Sequence, residues 1–178
     1  MLDKESNGRG LVKYSLISFT IGVFPLFYIL TLYLINPDSP ILFYLFTMSD
    51  GHARAFSEEF LIYSTISSTY TKSGPLFSVG MYLLCWKKVK FVVFGIPIKK
   101  VIKILPSMIF IIVFGYYLMY SGELNLTTKG GWWLGFISGN ILFLFIFFMM
   151  SFISHYGIAW IAILYLYILV KTIHNKTH

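Results

Sequence analysis

Long uncharged, apolar stretches alternate along this chain with short charged ones. A helix needs about 20 mostly apolar residues to cross about 30 Å of hydrocarbon. Tyr14 to Ile35 is 22 residues without a charge and stops at Asn36-Pro37, a helix-ending pair. Ile104 to Gly122 lies between Lys103 and Glu123 with no charge inside, and Gly130 to Val170 runs 41 residues without one. These stretches give three spans directly.

A further span, second in chain order, has to be argued. Only 14 uncharged residues, Ser73 to Trp86, separate Lys72 from Lys87. A long enough helix must start near Ile66 and take Lys72 into one end, with its stem in lipid and its ammonium among the headgroups. The last run has the opposite problem, since at about 1.5 Å per residue it is about twice the length required. A break at His155-Tyr156-Gly157 would leave Ile158 to Val170, 13 residues, too short to cross again. One long tilted helix from near Ile137 to near Thr172 is expected, its excess taken up by tilt, a bend near Gly157 or protrusion. Gly130, Gly131, Trp132 and Trp133 would form its entry at the interface. The expected fold is therefore all-α, a single polytopic membrane domain over residues 1–178. Its four transmembrane helices fall at 14–35, 66–86, 104–122 and 137–170, and its loops at 36–65, 87–103 and 123–136.

The connections differ in kind. Within 36–65, Ile41–Met48 is almost wholly apolar and aromatic, too short to span and suited to the membrane interface. Lysines frame Phe91–Ile98, a pattern that fits a segment pressed onto a leaflet. Pro25 sits in mid-span three residues after Gly22, while Pro75 (directly after Gly74) and Pro106 sit near expected helix starts. Membrane helices tolerate such residues because neighbours re-satisfy freed backbone groups. Gly22, Gly80 and Gly115 would let helices approach closely, either within the bundle or in a groove for a foreign helix.

Composition agrees with lipid as the solvent: 57% of residues are hydrophobic and 12% charged, against about 25% charged in soluble domains. The polar start and first apolar run resemble a signal peptide. That run, however, exceeds the roughly 7–15 residues of a signal core and lacks a small-x-small site, so it reads as an uncleaved helix. The net charge of +7 sorts by loop. Lys4, Arg9 and Lys13 precede the first span, Lys87, Lys88, Lys90, Lys99, Lys100 and Lys103 fill the second connection, and Lys171 and Lys176 follow the last span. Only Arg54, Lys72 and Lys129 fall on the other side, so the positive-inside rule puts both termini in the cytoplasm. The basic residues belong to topology and anionic lipid, and no nucleic-acid partner is expected.

Candidate chemistry is sparse. All seven carboxylates lie outside the apolar spans, and the four histidines share no metal-ligand spacing. No catalytic constellation, cofactor motif or metal site is expected. Cys85, the only cysteine, allows no intramolecular disulfide and reads as packing. His155 is the one ionisable group within an apolar run, either a proton-handling group or a neutral imidazole bonded to a neighbour. A small transporter or channel subunit is the competing class, but it would call for paired charges at membrane depth or matched broken helices.

Several strings, taken in order, resemble the immunity proteins that protect bacteria against pore-forming colicins of the A/B type. Ile21-Gly22-Val23-Phe24-Pro25-Leu26 is similar to the family's I-G-x-x-P-L, with Pro37 near its post-helix proline. Tyr70-Thr71-Lys72-Ser73-Gly74-Pro75 is similar to Y-x-K-T-A-P, and Pro106 to the proline that opens the third span. Leu124-Asn125-Leu126-Thr127-Thr128-Lys129-Gly130-Gly131 is similar to E-L-T-T-A-G-G. Ser73 and Gly74 replace Thr and Ala, and Asn125 stands where the family usually has Glu. The resemblance covers nearly the whole chain and implies a function by binding. Such a protein sits in the inner membrane, meets the colicin's pore-forming domain as it inserts, and keeps its channel from opening. It implies no small-molecule substrate. The partner-binding residues it suggests are Tyr70, Lys72, Pro75, Thr127, Thr128, Gly130 and Gly131, with Gly22, Pro25, Gly74 and Pro106 as packing positions. Thr127-Thr128 followed by Gly130-Gly131 reads equally as a turn and helix cap.

Overall fold

The computed structural model describes residues 2–86, 98–121, 123–128 and 131–177. Its elements in chain order are α1 (Leu2–Ile35), α2 (Pro40–Ser49), β1 (Ala55–Phe56), α3 (Leu61–Thr71), α4 (Gly74–Trp86), α5 (Ile98–Tyr120), β2 (Leu124–Asn125), α6 (Gly131–Ser138) and α7 (Ile141–Thr177). Most of the lysine-framed stretch Phe91–Ile98 lies outside the described residues, as do Lys87, Lys88, Lys90, Lys129 and Gly130.

Three helices are long and apolar enough to cross a membrane, through Lys13–Ile35 of α1, Lys99–Tyr117 of α5 and Ile141–Ile173 of α7. Their surfaces agree with that solvent. On α1, Val23, Leu26, Ile29 and Leu30 are buried at helical spacing, yet Ile21, Phe24, Phe27 and Tyr28 on the other side are exposed. A helix apolar on every side suits lipid, because water would favour a polar outer face. The chain is a helical membrane protein.

The expected span 66–86 is two helices, α3 and α4, each too short to cross alone. Pro75 is the physical cause of the break. It has no amide to give the Thr71 carbonyl and disfavours helical geometry at Gly74. α3 closes with a tightened turn, Lys72 N to Thr69 O at 3.2 Å and Ser73 N to Tyr70 O at 2.9 Å. α4 then restarts with Pro75 in its first turn, where a missing amide costs nothing.

Other boundaries move as well. α5 starts at Ile98, six residues before the expected span, so Lys99, Lys100 and Lys103 ride on the helix and Pro106 lies inside it, exposed. The last span starts at Ile141 instead of Ile137. Asn140 Oδ1 accepts the amides of Leu142 at 2.9 Å and Phe143 at 3.3 Å, an N-cap that separates α7 from α6. From there α7 runs 37 residues to Thr177 with no break at Gly157, one long helix as its length required.

Long-range contacts give the helix directions. Ser15, Gly22 and Phe27 of α1 meet Tyr156, Phe152 and Phe145 of α7, so the two run antiparallel. Tyr33, Gly22 and Ser18 of α1 meet Tyr63, Tyr70 and Phe77, so α3 and α4 together run opposite to α1. α5 buries Val101, Met108 and Gly115, a seven-residue spacing that keeps one seam on α7. Tyr165 Oη donates to the Val101 carbonyl at 3.0 Å, and Ile158 lies against Gly115. The start of α5 and the end of α7 thus share one end of the bundle. Its other end carries α2, α6 and the two strands, and between the ends lies an aromatic core built on Tyr63, Phe148, Phe152 and Tyr156.

Candidate functional site

The break between α3 and α4 turns Lys72 out of the helix row. Its Nζ donates to the His52 carbonyl at 2.7 Å and lies 5.4 Å from the centre of the Tyr120 ring, while Tyr120 Oη donates to the Lys72 carbonyl at 3.3 Å. Gly51 makes the first of these contacts available: its φ of +70° turns the chain just after α2, a conformation that glycine adopts without a Cβ clash. One lysine thus ties the α2–β1 turn, the helix break and the end of α5 together.

Immediately beside it, two strings far apart in sequence meet. Tyr70 Oη donates to the Gly22 carbonyl at 2.7 Å. Pro25, inside α1, withholds the amide that would serve the Ile21 carbonyl, and Tyr70 binds the carbonyl next along. The Tyr70 ring stacks on Phe152, with centroids 5.9 Å apart and planes 7° from parallel. Phe152 also fills the space over Gly22, where an added Cβ would stand 2.5 Å from its Cζ. Gly74 allows the closest helix approach here: a Cβ there would come within 2.8 Å of His155 Cβ and 2.9 Å of Tyr156 N. Ser78 Oγ and Ser18 Oγ add cross-helix bonds to the carbonyls of Tyr156 and Phe77. Gly80, by contrast, has open space where a Cβ would be.

The outer connections are pinned to this region by hydroxyls. α3 buries Ser64, Thr65, Ser67, Ser68 and Thr71. Ser68 Oγ accepts the amides of Arg54 and Ala55, each at 3.0 Å, and Ser64 Oγ accepts that of Ser57 at 2.9 Å. So held, β1 pairs in parallel with β2, Ala55 opposite Leu124 and Phe56 opposite Asn125. The bonds run from Leu124 N to Arg54 O at 2.6 Å and from Leu126 N to Phe56 O at 2.9 Å. Ser57 Oγ reaches the Ser138 carbonyl at 2.9 Å, which fixes the end of α6 to the same connection.

Asn125 is the hub of the Thr127-Thr128 turn. Its Oδ1 accepts the amides of Thr127 at 2.9 Å and Thr128 at 3.3 Å, and its Nδ2 donates to Glu58 Oε1 at 2.6 Å. Thr127 Oγ1 accepts the Glu58 amide at 3.1 Å. A residue here must accept and donate at once, which an amide does and an ionised carboxylate does not. Asparagine at this position therefore has a local reason in this chain.

The sequence-derived residues fall into two groups. Tyr70, Lys72, Gly74 and Pro75 join Gly22 and Pro25 at the meeting of α1, the α3–α4 break and α7. Thr127 and Thr128 lie instead on the bridge, and Gly131 opens α6. Lys72 shares a cavity with Arg54, Leu124 and His155, and neither threonine lines it. His155 is buried, with Nδ1 donating to the Ser151 carbonyl of its own helix. Arg54, Ser68 and Asn125 were missed from sequence. The signal for the first two was the hydroxyl-rich run Ser64–Thr71, an unusual content for a buried helix. The arrangement offers tight packing and directed hydrogen bonds, the means by which helices recognise helices in lipid. Comparison of the chain with protein-family models, curated proteins and solved structures finds no match.

Proposed function

We propose that this chain is an immunity protein that binds the inserting pore-forming domain of a colicin in the bacterial inner membrane and keeps its channel closed. On this reading the α3–α4 pair makes a fourth crossing and both termini lie in the cytoplasm. The Tyr70–Gly22 contact carries the reading. These residues belong to two of the strings shared with the A/B-type immunity proteins, stand 48 positions apart, and are joined at 2.7 Å. Lys72, within one of those strings, sits beside the contact at the end of the bundle that an inserting hairpin would meet first. Recognition there needs no bond chemistry; van der Waals fit and a few interhelical hydrogen bonds supply the affinity, and misfit against other pore domains supplies the specificity.

The test is expression in a colicin-sensitive strain challenged with a panel of pore-forming colicins. Protection against one or a few is expected, and protection against none overturns the proposal. Lys72→Gln, at equal membrane level, is expected to lower the protective titre at least tenfold. An unchanged titre removes Lys72 from the binding surface.

A further inference from the structure

Beneath the β1–β2 bridge lies a cavity of about 140 Å³, lined among others by Arg54, Ser68, Lys72, Leu124, Ser151 and His155. Two cations and an imidazole face one partly enclosed space, and among the described residues no carboxylate lines it. The nearby carboxylates are occupied elsewhere: Asp50 and Glu123 line a separate hollow of about 230 Å³, and Glu58 accepts from Asn125. Arg54 and Lys72 are both half-buried, and like charges held on one partly enclosed space repel and favour a counter-charge between them.

The hydrogen-bonding capacity of the lining is equally one-sided. Ser68 Oγ already accepts two backbone amides, so both its lone pairs are used and its proton is left to donate. Lys72 gives one ammonium proton to His52 and keeps two. Arg54 brings a five-donor guanidinium fork suited to planar or tetrahedral oxyanions. Arg54, Lys72 and Ser68 thus each bring a donor to the lining.

We propose that this cavity binds one small oxyanionic group, held by Arg54, Lys72 and the Ser68 hydroxyl. At about 30 Å³ per water in the liquid, the space suits a phosphate-sized ion or the carboxylate end of an acidic side chain, and it is too small for a nucleotide. The charge can come from a free ion or from a partner's Asp or Glu. The binding rests on the cavity alone and not on the immunity reading, so the two can fail separately.

The experiment uses the full chain, purified in a neutral detergent at pH 7, with ionic strength held by gluconate, which is too bulky for the space. The unfolding midpoint is followed while sodium phosphate, and separately sodium acetate, replaces gluconate. A saturable rise of several degrees is expected. A rise with phosphate alone assigns the site to a free tetrahedral ion, and a rise with acetate assigns it to carboxylates. Arg54→Gln and Lys72→Gln are expected to lose the rise, and Lys99→Gln on α5 to keep it. Ser151→Asp supplies a carboxylate from within the lining, and is expected to raise the midpoint in gluconate and abolish the phosphate response. The absence of any saturable rise in the unaltered protein overturns the proposal, as does a rise that persists in both glutamine variants. Should those variants fail to fold, Ser151→Asp decides: a full phosphate response in that variant, an adventitious ion only, overturns it.

Discussion

Gly74 and Gly80 stand on the same short helix, and a side chain would affect them oppositely. At Gly74 the obstacles include the Tyr156 amide nitrogen and the Phe152 carbonyl, backbone atoms that cannot swing aside. Gly74→Leu is expected to push α4 off α7 and cost at least about 1–3 kcal/mol, read as a lower unfolding midpoint in detergent. Gly80→Ala meets nothing within 4 Å and gains helix propensity worth up to about 1 kcal/mol, so its midpoint should hold or rise. Sequence alone put both glycines among close-packing positions, because spacing says which residues are small and not which face is covered. Asn125 gives a second contrast. Asn125→Asp keeps the acceptor for the Thr127 and Thr128 amides but sets a carboxylate against Glu58 in place of a donor. Faster amide exchange at Leu124 and Leu126 is expected at neutral pH, with recovery in Asn125→Asp combined with Glu58→Gln.

At the scale of elements, the main surprise is α3. Counting a membrane-length helix back from Lys87 started the span near Ile66 and left residues up to 65 as loop. In the folded chain the Ser64 and Ser68 hydroxyls replace water as partners for the 54–57 backbone, which offsets the cost of burying a polar helix. Ser68→Ala would leave the Arg54 and Ala55 amides unpaired, at a cost of about 1–3 kcal/mol. Ser68→Thr keeps the oxygen and should retain most of the stability, a comparison that unfolding midpoints would settle. The shortage of apolar residues before Lys87 was legible, and so was the anomaly of Lys72. The consequence, two helices joined at Pro75, follows from proline geometry at a place where a continuous span had been expected. The cap at Asn140 was not read, because the continuous apolar run through it hid the boundary. The β1–β2 pair was not legible, because two residues of pairing across that distance leave no periodic trace.

For the whole molecule, three long apolar helices and the directions of their contacts leave a definite topology to test. On the proposed four-crossing arrangement, which puts both ends in the cytoplasm, a fluorescent protein fused after His178 should fluoresce, and alkaline phosphatase fused after Asn125 should be active while one fused after Lys100 should not. Activity at Lys100 would overturn the four-crossing arrangement.

The bridge between β1 and β2 also has a meaning in time. A ribosome delivers Phe56 well before Leu124, and until α5 is in place the Arg54 and Phe56 carbonyls have no amides to receive. A nascent chain halted before Leu124 can therefore join its early helices to one another but cannot close the bridge. The hollow that the bridge roofs comes into being only after the third long helix has been laid down. Maturation is thus complete only once the bridge has closed and α7 lies beneath it, later than the moment the first helices enter the membrane.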